Sequence, residues 1–186
     1  MKNLKFLALF FTATLVLASC SSDDDGNERI NEEEVITTLN VALTGGSTPI
    51  TLTFRQLDES VAPTIIVSGD LDSNTTYTGT ITVLNELENP ADNITLEIEE
   101  EDDEHQFFYQ VGSGLNISNL TYLDFDGDGN PLGLRFSFDT GEASSGNFTI
   151  TLRHEPNKDA SGVSDGQIAN AGGETDIEVS FPLEIQ

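Results

Sequence analysis

A single cysteine, Cys20, stands in 186 residues, and tryptophan is absent altogether. One thiol excludes an intramolecular disulfide, so the folded part must be held together by burial. Basic residues are scarce: 7 Lys and Arg face 33 Asp and Glu, for a formal net charge of −26. Such a chain repels polyanions, which argues against nucleic acid and anionic headgroups as partners and favours cations and basic protein surfaces. Long apolar runs are also missing. The longest, Leu7 to Leu17, is interrupted by Thr12 and Thr14 and falls short of the ~20 residues that span a bilayer. There is no Gly-x-Ser-x-Gly elbow, no phosphate loop and no His-Glu-x-x-His, so an enzyme is not expected. Carboxylates are too numerous for any two to be singled out as a glycosidase pair. Without tryptophan, only Phe108 and Tyr122 suggest themselves for stacking on a sugar.

What is present begins with the parts of a secretory signal over residues 1–19. Lys2 and Lys5 supply the positive start, the short apolar run follows, and Leu17-Ala18-Ser19-Cys20 closes the segment. This last tetrapeptide matches the bacterial lipobox, in which the cysteine thiol takes a diacylglycerol. Cys20 is therefore the expected lipidation site, and the lone thiol has a use. Residues 20–34 continue polar and acidic, through Asp23-Asp24-Asp25 to Glu34. They cannot bury enough apolar surface to fold and read as a flexible tether. Residues 35–186 suffice for one domain with a real core.

Within that domain the hydrophobic period is two. Val35 to Leu43, Ile50 to Phe54, Thr64 to Val67, Tyr77 to Val83 and Ile94 to Ile98 form the first five expected strands. Phe107 to Val111, Leu115 to Leu123, Leu132 to Phe138, Phe148 to Leu152 and Ile177 to Ile185 complete the set. About ten short strands separated by Gly, Asn, Asp and Pro turns predict an all-β protein, an antiparallel immunoglobulin-like β-sandwich, with an up-and-down barrel as the alternative. The segment Glu155 to Gly173 is the one long connection and leaves room for a helical turn.

Three features stand out as candidate sites. Glu97 to His105 is a run of carboxylates ending in an imidazole. Asp124, Asp126, Asp128 and Asn130, with Gly129 at the sixth place, resemble the opening of an EF-hand-type calcium loop. The twelfth place holds Arg135 where that motif needs a glutamate, so a plain Asp-Gly turn competes with weak calcium binding. His105 and His154 are the only histidines, each in phase with the inward face of its strand and each beside a glutamate, Glu104 or Glu155. If every connection reverses the chain, all three features share one end of the domain. Two imidazoles with nearby carboxylates suit zinc or copper, with calcium less favoured.

The lipobox and its acidic sequel, followed by Asn31-Glu32-Glu33-Glu34-Val35-Ile36-Thr37-Thr38, resemble the start of small lipoproteins from flavobacteria (Bacteroidota). The resemblance continues at Glu104 to Tyr109, Leu152 to Lys158 and Asn170 to Asp176. Some of that group are named after the type 1 periplasmic binding fold. That fold needs two α/β lobes, for which this chain lacks both length and helices. The resemblance implies location and single-domain organisation and carries no mechanism. An acidic stretch just after the lipidated cysteine is similar to the export signal of lipoproteins at the outer face of the outer membrane. The expectation is a lipid-anchored envelope binding protein, at the cell surface more than the periplasmic face. It presents an acidic end to a divalent metal or a basic partner and serves as an accessory to an outer-membrane receptor. The rival is a structural or adhesive lipoprotein with no small ligand.

Overall fold

A computed structural model describes residues 34–186. The signal segment, Cys20 and most of the expected tether lie outside those residues. Among the described residues nine strands form two antiparallel sheets. In chain order they are β1 (Thr38–Thr44), β2 (Ile50–Arg55), β3 (Thr64–Val67), β4 (Thr76–Leu84), β5 (His105–Val111), β6 (Ile117–Tyr122), β7 (Arg135–Thr140), β8 (Ser144–His154) and β9 (Glu174–Ile185). One sheet has the order β3-β2-β1-β4-β7-β6 and the other β5-β8-β9. They are not closed into a barrel, so the fold is the antiparallel β-sandwich.

The period of two explains the core. Leu39, Val41 and Leu43 of β1 point inward, as do Ile50, Leu52 and Phe54 of β2, while Asn40, Ala42, Thr51 and Thr53 between them are exposed or half-buried. From the smaller sheet, Phe107, Tyr109, Phe148, Ile150, Leu152, Val179 and Phe181 fill the other side of the same core. Size is matched across strands at one conspicuous place. Gly79 pairs with Phe136, and a Cβ there would meet the Phe136 ring at 2.3 Å. The bare backbone of β4 is what lets that ring lie flat across it.

One expected strand is a helix. Ile94–Glu100 is α1, with Ile94 and Ile98 buried and Leu96 56% exposed. The triplet reads as alternation along the chain, but Ile94 and Ile98 are also four apart and share one helical face. Thr95 docks that face on β4, its hydroxyl accepting from Val83 N–H at 2.8 Å. The long connection after β8 does hold a helical turn, a 3-10 segment at Ile168–Asn170.

Candidate functional site

His105 opens β5 and His154 closes β8, and the two are direct cross-strand partners. Opposed residues on an antiparallel pair project to the same face. Their rings therefore meet, with centroids 4.6 Å apart and planes tilted by 34°. This closeness does not depend on how many elements precede them.

Two carboxylates enter the same space. Glu34 Oε1 lies 2.8 Å from His105 Nε2, and Glu34 Oε2 lies 3.5 Å from His154 Nδ1. Asp176 Oδ1 is 3.8 Å from His154 Nδ1. All four side chains are 5% exposed or less. Together they form a group whose donor atoms lie within 4.8 Å of one another. Glu104 and Glu155, the expected companions, are placed differently. Glu104 Oε2 lies 4.0 Å from the opposite nitrogen of His154, Nε2, and Glu104 and Glu155 form with His154 a second, more exposed group that shares only that residue with the first.

Neither Glu34 nor Asp176 was legible beforehand, for two separate reasons. Glu34 falls in the acidic run assigned to the tether, yet its side chain is buried in the domain. Asp176 is out of phase with the inward residues Ile177 and Val179. The β8–β9 register passes from Leu152↔Ile177 to Arg153↔Thr175, which leaves Asp176 as the extra residue of a bulge. A bulge shifts the alternation by one and turns that side chain toward the histidines. Gly173, at φ +68°, allows the approach of β9: a Cβ there would sit 2.2 Å from the His154 carbonyl oxygen.

The hydrogen-bonding of His105 defines what its free nitrogen can do. Nδ1 is 3.1 Å from the Glu101 carbonyl oxygen, which only accepts, so Nδ1 carries a proton and donates it there. In the neutral ring Nε2 then presents a lone pair to the Glu34 carboxylate. Close as it is, that contact is not aligned as a hydrogen bond, and His105 Nε2, His154 Nε2 and Glu34 Oε2 are buried without one. A lone pair facing a carboxylate in a dry site requires a cation or a proton between them. With a proton there, burial pushes the His105 pKa down, but the Glu34 carboxylate outweighs it and leaves it above the ordinary value. Burial likewise pushes Glu34 up, and the His105 imidazole leads the contacts that bring it below its ordinary value.

The Asp124–Asn130 loop has the geometry of a turn. Asp126 Oδ1 accepts from Asp128 N–H (3.0 Å) and Asn130 N–H (2.8 Å), while Oδ2 pairs with Lys158 Nζ at 2.9 Å. Asp124 accepts from the backbone N–H groups of Gly133 and Arg135. These carboxylates are thus directed at separate backbone donors and a lysine, and Asp128 is exposed. Lys158 also donates to the Asp102 carbonyl oxygen, so it ties the acidic tip, the Asp-Gly loop and the segment after His154 together. The expected convergence of the three features at one end is realised through this buried ammonium. Phe108 and Tyr122 are both buried and offer no open ring face. Comparison of the chain with family models, curated proteins and solved structures gave no match.

Proposed function

We propose that this protein is a non-catalytic, lipid-anchored cell-envelope protein that holds one divalent transition-metal ion, zinc foremost, between Glu34, His105, His154 and Asp176. The observation that carries this reading is the His105 tautomer. Its Nδ1–H is committed to a backbone carbonyl and its Nε2 is aimed at a carboxylate. Metal-ligating histidines characteristically donate the other ring N–H to such an acceptor. The spacing agrees. Zinc bonds of about 2.0–2.1 Å put tetrahedral ligand atoms about 3.3 Å apart, and the oxygen–nitrogen separations here are 2.8 Å (Glu34 Oε1), 3.5 Å (Glu34 Oε2) and 3.8 Å (Asp176 Oδ1).

Charge points the same way. Two carboxylates and two neutral imidazoles around a divalent ion sum to zero, which is the arrangement a buried site tolerates best. Four protein donors and no open position fit a closed, structural type of site rather than a catalytic one. The four stretches that resemble flavobacterial lipoproteins each supply one donor: Glu34, His105, His154 and Asp176. The lipobox ending in Cys20 supports export and a lipid anchor, and the acidic stretch after it supports placement at the outer membrane. The acidic surface around the site suits a basic protein partner, such as the exposed part of an outer-membrane receptor.

Calorimetric titration of the chain from residue 20 onward, with Cys20→Ser, tests the metal reading directly. One zinc per chain at micromolar Kd or tighter is expected, with copper competing and calcium inert, and the His105→Ala/His154→Ala variant should take up none. Absence of zinc and copper uptake would instead favour the structural lipoprotein. Incorporation of labelled palmitate, lost in Cys20→Ser, tests the anchor, and protease access on whole cells tests the membrane face.

A further inference from the structure

The four donors come from two places in the sandwich. His105, His154 and Asp176 sit at one end of β5, β8 and β9, the three strands of the smaller sheet. Glu34 belongs to the chain entering β1, a central strand of the larger sheet. Among the described residues, the first backbone tie of that chain to its sheet is Thr37 N–H to the Leu84 carbonyl, at 3.0 Å. Thr37 is held further by its hydroxyl, which donates to the Leu84 carbonyl at 3.1 Å and accepts from Glu86 N–H at 2.8 Å. Ahead of it, Ile36 is partly buried against the core and Val35 is 52% exposed. Glu34 is thus the first described side chain to cross from the entering chain to the other sheet. It also helps close the site, since the histidines beneath it are buried.

We infer that the ion is a staple: it fastens residues 34–36, where the chain enters the domain ahead of the anchored Thr37, to the end of the three-stranded sheet, and those residues must lift for the ion to enter or leave. This rests on the metal reading above and adds to it which part of the chain the ion controls. A covalent cross-link is not available for that task, because Cys20 is the only cysteine. Three ligands on one sheet end form a preorganised half-site, and the fourth arrives on residues 34–36, which make no strand pairing among the described residues. Ion binding therefore couples to ordering of that segment, as it does wherever a site is completed only in the folded arrangement.

Two single-ligand variants separate the staple from simple stabilisation. Glu34→Gln removes the donor on the entering segment, and Asp176→Asn removes one from the sheet. Hydrogen exchange of a peptide covering residues 34–38 is measured at saturating zinc and after chelation, with zinc content determined on the same samples. In the wild-type chain zinc should slow this exchange at least tenfold. Asp176→Asn should bind zinc more weakly yet keep the protection when saturated. Glu34→Gln should still take up zinc through three donors, lose the protection and release the ion faster. Stoichiometric zinc uptake with unchanged exchange at 34–38 would overturn the staple and leave the metal site standing. Equal protection in Glu34→Gln and wild type would overturn it too, and no zinc uptake by the wild type would end both readings.

Discussion

His105 and His154 stand directly opposite each other at the end of an antiparallel pair, with Nε2 of the first and Nδ1 of the second both within 3.5 Å of the Glu34 carboxylate. The strand register sets the two rings against each other, and Glu34 reaches them from the chain entering β1 of the other sheet. Replacing His105 by Ala is expected to weaken zinc binding by at least about 100-fold, since loss of even an outer-shell partner costs roughly 10–100-fold. Zinc affinity in a competition titration checks it, and an unchanged value would remove His105 from the ligand set.

Acidity should act in opposite directions on the metal-free and metal-loaded forms. The His105 pKa is raised above 6.5, so its contribution is complete below about that pH and is lost as pH climbs through the raised value. That of Glu34 is lowered below 4.5, so its contribution is present above that pH and is lost as pH falls through the lowered value. The pair thus adds most to the metal-free domain between about pH 4.5 and 6.5. Zinc must displace the proton from His105, so its stabilising increment should grow above that window. Thermal unfolding between pH 4 and 8, with and without chelator, gives both curves. A zinc increment that shrinks with rising pH would contradict the assignment.

Lys158 is a buried ammonium paired with Asp126, and removing it strands a carboxylate. Lys158→Met is expected to destabilise the domain by about 3–5 kcal/mol, the usual cost of breaking a buried pair from one side. Denaturant unfolding measures this. In the same assay millimolar calcium should leave the wild-type midpoint where it is, because the oxygens of Asp126 are already bonded to N–H groups and to Lys158. A calcium-dependent rise would return the loop to the list of cation sites.

The helical character of residues 94–100 has its own signature. Ile98→Ala should cost about 2–5 kcal/mol, as a fully buried truncation does, whereas Leu96→Ala should stay within about 0.5 kcal/mol. Similar losses at both positions would mean that the two side chains share an inward face after all.

Period-two patterning was enough to locate all nine strands in outline, and the inward residues of β1, β2, β4, β5, β7, β8 and β9, because a half-buried strand has to alternate wherever it lies. It also brought the two histidines to strand ends on the core side, and the order of charge, apolar run and Cys20 raised the expectation of an exported, lipid-bearing start that the proposal above takes up. What the alternation cannot carry is phase. Ile94, Leu96 and Ile98 satisfy both a strand and one turn of helix, and packing against Val83 and its neighbours decided between them. Asp176 faces the site only because a bulge inserts one residue between Thr175 and Ile177. Glu34 looks like every other acid of the run before it, and only the buried histidines of a distant strand pair distinguish it. Local sequence determines which way a side chain points along its own element. Which donors meet is decided by register, bulges and the crossing between sheets, and those are long-range choices made when the core closes.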